Sequence, residues 1–210
     1  MASTTTTTKT APGTGTSAPA RSFGDAAAVA ATADTGGTVH RVIAMGDRAI
    51  VHVETTSPAR AVAQVWVAGP SGAPSRSSSV SQAAVPRTPG GHTMFDGGGE
   101  RSADRTPAEL EANIAVVRRL YTEVFNGKQT AVIDELVAPG YLQHNPLIGD
   151  GSDGLKALTA NGLPVEVLDV LAQGDLVAAS VRYGNVGAVD IFRVDAGQIV
   201  EHWDVLDLPG

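Results

Sequence analysis

From Thr106 onward the chain is written as helices first and strands afterwards, and that order restricts the fold more than any other feature. Thr106 can cap a helix, with Pro107 at the first helical position and Glu109 three residues on. Leu110, Ile114, Val117, Tyr121 and Val124 then recur at helical spacing through Phe125. Asn126-Gly127 stops that helix. Thr130 opens a second, short helix through Leu136, ended by Pro139-Gly140. Tyr141-Leu-Gln-His-Asn145 before Pro146 reads as a short extended piece, and Ser152 to Leu158 as a third helix. Three strand-like runs follow: Val165 to Leu171, Leu176 to Tyr183 and Ala188 to Val194. Asp195-Ala-Gly197 then turns into Ile199 to Val205. Helices followed by an antiparallel meander form an α+β pattern.

The rest of the chain is less densely written. Residues 1–37 are mostly Thr, Ala, Gly and Ser. Such a segment buries too little apolar surface to offset its chain entropy, so a disordered tail is expected, with a helical turn at most over Ala26 to Ala31. Residues 38–69 form an ordered island. Val39 to Val53 reads as two strands about Gly46-Asp47, and Ala61 to Val67 as a third. Residues 70–105 are punctuated by Ser77 to Ser79, Pro86, Pro89, Gly90 and Gly97 to Gly99, and read as a linker. Residues 106–210 are the expected folded unit.

Composition narrows the function classes. The 210 residues carry 15 Lys+Arg against 22 Asp+Glu, a net charge of −7. Nucleic acid and anionic membranes call for basic patches, so neither is an expected partner. Cysteine is absent, which excludes disulfides, thiolate catalysis and Cys-based zinc sites. No apolar run approaches the ~18 residues of a membrane span. The N-terminus has no apolar signal core, so a soluble, cytoplasmic protein is expected. The five histidines are scattered without metal-ligand spacing, and no cofactor or metal is expected. Gly97-Gly-Gly99 lacks the strand-to-helix setting of a phosphate loop.

The chain also partly repeats itself. Placing Gly46-Asp47 on Gly174-Asp175 lays Val39–Val53 over Val167–Val181, and Val39, Val42, Ala44, Gly46, Asp47 and Val53 match identically. This points to a duplication.

Two segments carry a family resemblance. Tyr141-Leu-Gln-His-Asn-Pro146 and Asp190-Ile-Phe-Arg-Val-Asp-Ala-Gly-Gln-Ile-Val-Glu-His-Trp-Asp204, in this element order, resemble the SnoaL-like polyketide cyclase family of the nuclear transport factor 2-like superfamily. The resemblance covers Thr106 to about Leu208. It implies a cone-shaped barrel: a curved antiparallel sheet wrapped around a long N-terminal helix, enclosing an apolar pocket, often in a homodimer. The first half resembles a partial, degenerate repeat of the same family. The stretch between Gly154 and Val165 is shorter than the family's usual third helix, which commonly helps close the pocket.

Strand alternation gives Asp190, His202 and Asp204 one parity, and a tight turn at Val194–Gly197 sets Asp190 opposite His202. A carboxylate in an apolar cavity has its pKa raised and can act as a base near neutral pH. The resemblance implies Asp204 as the acid/base of an aldol ring closure. His144, Asn145 and His202 are then polarising donors and Asp190 orients a histidine. Tyr121 and Trp203 are candidate ligand walls. Blander roles stand beside these: a turn-capping Asp204, a structural His202–Asp190 pair, Asn145 bonded to its own backbone, and Trp203 as core. Two functions therefore remain open. One is a cofactor-independent cyclase-like, isomerase-like or hydrolase-like enzyme acting on a small apolar carbonyl compound. The other is a non-catalytic ligand-binding or dimerisation module of the same fold.

Overall fold

The computed structural model describes residue 29 and residues 36–69, 71 and 73–208. The expected N-terminal tail lies almost wholly outside the described residues. Two sheets and one substantial helix make up the rest. β1 (Gly37–Met45), β2 (Arg48–Thr56), β3 (Ala59–Ala68) and β4 (Pro74–Ala83) form an antiparallel meander. A long connection leads to α1 (Pro107–Arg119), which continues as a wider π-helical segment over Leu120–Asn126. A 3-10 turn (Thr130–Val132) and α2 (Ile133–Leu136) lead into β5 (Val137–Gln143). After α3 (Asp153–Thr159) come β6 (Val165–Gln173), β7 (Leu176–Tyr183), β8 (Val186–Asp195) and β9 (Gln198–Leu206).

The helix begins where its capping chemistry dictates. The Thr106 hydroxyl accepts from Glu109 N, and the Glu109 carboxylate accepts from Thr106 N at 2.7 Å. Two otherwise orphaned donors are satisfied reciprocally. Ile114, Val117, Leu120, Tyr121 and Val124 turn one stripe of this helix onto the second sheet.

The expected cone-shaped barrel does not form. The second sheet is open and mixed, ordered β5-β9-β8-β7-β6, with β5 parallel to β9 and the other pairs antiparallel. Nor is the long helix N-terminal: residues 107–126 lie in the middle of the chain. The physical reason is visible in the packing. α1 covers one face of this sheet, and the first sheet covers the other. With a helix on one face and a sheet on the other, the apolar faces are both covered while the edge strands β5 and β6 stay unpaired with each other.

The first half exceeds the expected fragment. It is a complete four-stranded sheet, and β4 runs through the Ser- and Arg-rich stretch expected to be linker. β4 is an edge strand in which Ser75 and Ser77 to Ser79 are exposed, Val80 is half-buried and Gln82 is buried, so it carries no continuous apolar run.

The two sheets share backbone irregularities. β1 shifts register between Val39 and Arg41, and β6 shifts at the equivalent place between Val167 and Asp169. β3 shifts between Val65 and Trp66, and β8 between Arg193 and Val194. Such bulges are designed features of a strand, so four in matching places mark equivalent sheets. The sheets then meet through equivalent faces. Ile43, Ile50, Ala61 and Ala63 of the first pack with Leu171, Ala178, Val189 and Ile191 of the second. β1 touches β6 and β4 touches β9, while the cross contacts β1–β7 and β2–β6 come as an equivalent pair. This is the self-complementary pattern of a two-fold interface, here within one chain.

Among the described residues, no helix is long and apolar enough to cross a membrane.

Candidate functional site

Between α1, α3 and the helix-facing side of the second sheet lies a cavity of about 340 Å³. Leu120, Phe125, Leu155, Leu163, Val186 and Phe192 make apolar walls. Tyr141, Gln143, Asn145, Tyr183, His202 and Asp204 make a polar end. The size and the division suit a small, mostly apolar ligand oriented by a few polar groups. α3 has only seven residues and leaves the mouth open: Leu147 is 78 % exposed, Leu158 43 %.

The polar end is built by strand parity. His202 and Asp204 alternate on β9 with Trp203, which faces the other way. The hairpin closes with Asp195 opposite Gln198, one residue beyond the expected turn, and the register shift between Arg193 and Val194 adds one more, so Asp190 stands opposite Asp204, and His202 stands opposite Phe192. The expected Asp190–His202 cross-strand pairing is thereby displaced, yet the two side chains still meet: His202 Nε2 lies 3.6 Å from Asp190 Oδ1.

Asp190 and Asp204 are buried side by side in different settings. Asp190 Oδ2 accepts from Tyr121 and Tyr183 hydroxyls, each at 2.6 Å. Asp204 Oδ2 accepts from Asn145 Nδ2, while Asp204 Oδ1 is buried without a hydrogen-bond partner. Burial pushes the Asp204 carboxyl up to about 6; Asp190 adds to the rise, and His202 and Asn145 oppose it. Burial, reinforced by the Asp190 carboxylate, pushes the phenols of Tyr121 and Tyr183 well up, so both stay proton donors. Asp190, His202 and Asp204 each offer one ligand atom within 4.8 Å of the others, the group among the described residues that could span a cation.

The sequence-expected residues therefore divide. Asp190, His202, Asp204 and Asn145 come together, with Tyr121 joined through Asp190. His144 and Trp203 do not reach the cavity. His144 Nδ1 meets Thr93 O at 2.7 Å and its Nε2 meets Glu201 Oε1 at 3.0 Å. Its ring stacks on Trp203, which is buried between the sheets with the Arg41 guanidinium 3.7 Å from its ring centroid. Glu201 also pairs with Arg193 at 2.9 Å, and Arg193 with Asp175 at 2.5 Å. This second polar cluster ties the loop at Thr93–Gly99 to β8 and β9. Gln143, Tyr141 and Tyr183 were missed. Alternation was the available signal: Tyr141, Gln143 and Asn145 share one parity and His144 the other.

Residues 117–202 match the family model of the SnoaL-like domain. The match spans 86 of the 210 residues, from the middle of the long helix to β9. Among solved structures, the SnoaL-like half is similar to a proposed SnoaL-like polyketide cyclase from Jannaschia sp. CCS1, at 23 % identity over 50 % of this chain and 90 % of that one, TM-score 0.42. A proposed polyketide cyclase from Bacillus cereus ATCC 10987 matches at 25 % identity over 49 % of this chain and 79 % of its own, TM-score 0.43. An NTF2-like protein of unknown function from Mesorhizobium loti matches at 24 % identity over 49 % and 96 %, TM-score 0.41. No curated protein matches the sequence. Counted from the shared bulge, Val62, Ser79 and Ser81 of the first sheet occupy the positions of Asp190, His202 and Asp204 in the SnoaL-like domain. The first sheet thus carries none of the acid–base groups.

Proposed function

We propose that the SnoaL-like domain binds a small apolar carbonyl compound and transfers a proton at the carbon next to that carbonyl, with Asp204 as the base. One observation carries this reading: Asp204 is a carboxylate more than nine-tenths buried at the polar end of an otherwise apolar cavity, with its Oδ1 lacking a hydrogen-bond partner. An acid raised to about 6 is ionised at neutral pH yet holds a proton well enough to return it. The carbon's proton passes to the Asp204 carboxylate, and the C–H electron pair moves into the enolate. Its oxygen is met by hydrogen-bond donors at the same end, where Tyr141, Tyr183 and Asn145 line the cavity. Asn145 holds the other Asp204 oxygen, which fixes the direction of Oδ1. Asp190, saturated by two tyrosines, is the fixed anion beside His202. Ring closure or isomerisation follows from where the enolate reacts next. No metal or organic cofactor enters this scheme.

The open leucine mouth favours a second reading, a pocket that carries a ligand without transforming it. Deuterium uptake from heavy water into a panel of β-dicarbonyl and steroid-like ketones separates the two. Uptake with wild type that is lost with Asp204→Asn supports the base. Saturable binding without uptake supports the carrier.

A further inference from the structure

Gln143 is the most connected polar side chain at the cavity end, and 2 % of it is exposed. It pairs with His202 across the parallel β5–β9 edge. Its Oε1 meets His202 Nδ1 at 2.8 Å and the backbone N of Asn145 at 3.2 Å. Its Nε2 lies 3.0 Å from the Tyr141 hydroxyl. These contacts fix the protons. A backbone N–H can only donate, so the amide atom facing Asn145 N must be the carbonyl oxygen. That oxygen cannot donate, so His202 Nδ1 carries the hydrogen. The atom of His202 that gains or loses a proton is then Nε2, the one facing Asp190. The amide NH₂ at the other end donates to Tyr141, so the phenolic oxygen accepts and its own proton turns to the cavity that Tyr141 lines.

We propose that Gln143 is a positioning residue that sets two proton-bearing groups at once, holding His202 as the Nδ1–H tautomer and turning the Tyr141 hydroxyl proton toward the ligand's oxygen. Tyr141 becomes the neutral donor to the developing enolate, beside Asp204 as base. The catalytic half of this inference rests on the proton-transfer reading above; the tautomer half does not.

The test is nitrogen-15 NMR of imidazole-labelled, full-length protein, with His202 assigned by loss of its signals in His202→Gln. The neutral ring in wild type is expected to carry hydrogen on Nδ1. In Gln143→Leu that preference is expected to be lost, giving the Nε2–H form usual for a free histidine side chain, with circular dichroism showing the fold retained. Where the panel contains a substrate, Gln143→Leu lowers the exchange rate at saturation about 10–100-fold, as for a residue acting through another, and Tyr141→Phe about 100–1,000-fold, as for a direct donor, each with little change in KM. An Nε2–H wild-type ring overturns the proposal. So does a tautomer unchanged in Gln143→Leu, or a change in KM alone. Exchange absent from wild type with the Nδ1–H tautomer present overturns the proton-transfer reading and the Tyr141 role, and leaves the tautomer assignment supported. If Gln143→Leu fails to fold, Gln143→Met is measured in its place.

Discussion

At the scale of residues, two carboxylates stand directly across β8 and β9 from one another, and the surroundings push them apart in role. Asp190 receives two phenol hydrogens; Asp204 has one oxygen without a donor. The cost of that arrangement is a pH dependence of stability. Below about pH 4 Asp204 is protonated both folded and unfolded, and its contribution is fully present. As pH rises toward about 6 the unfolded carboxyl ionises freely while the folded one resists, so stability falls. A shift from 3.8 to about 6 corresponds to a loss on the order of 3 kcal/mol. Urea denaturation at pH 4 and pH 7 should therefore show wild type losing that much relative to Asp204→Asn; equal pH dependence would remove the burial argument. Asp190→Asn removes a like charge, so carbon-13 NMR should find the Asp204 carboxyl titrating at lower pH than in wild type. This level was partly legible in the sequence. The shared parity of Asp190, His202 and Asp204 follows from alternation alone. The pairing did not, because the turn closes one residue later than expected and a bulge at Arg193–Val194 adds a second residue. His144 was drawn into the site with Asn145, though adjacent strand residues face opposite sides.

At the scale of elements, strand and helix positions from Thr106 onward were legible because caps, turns and apolar runs coincide there. β4 was not, since a serine-rich edge strand gives neither an apolar run nor a turn signal. Pro139 and Gly140 were read as a helix stop and lie instead within β5, inside the irregular stretch between Val137 and Leu142. The loop that joins the halves has its own constraint at Gly97. Its φ is +91°, and a Cβ there would run into the Glu201 carboxylate and the Trp203 ring. Gly97→Ala combines backbone strain with that collision, so a loss of more than about 1 kcal/mol is expected in urea denaturation. Gly98→Ala shares a positive φ but meets open space, and separates strain from collision.

At the scale of the whole molecule, the first sheet is structural to the second. It supplies no acid–base group, yet it covers the face that the helix leaves bare, and Gln82 Nε2 donates to the backbone oxygen of Asp204 at 3.1 Å. A second copy of the chain would have to dock elsewhere. Ile43 is fully buried at this junction, so Ile43→Ala should cost about 2–5 kcal/mol, and both halves should unfold in one transition. A small change there, or two separate transitions, would show the sheets to be independent. The repeat was legible in the sequence as matched residues around Gly46-Asp47, but its packing was not, because period-2 patterns do not say which sheet a face meets. The central claim concerns Asp204, and the most direct measurement is the pH dependence of ketone deuterium exchange by wild type and Asp204→Asn. The account predicts exchange that rises through an apparent pKa near 6 and disappears in Asp204→Asn. Exchange that survives Asp204→Asn, or that shows no acidic limb, would contradict it.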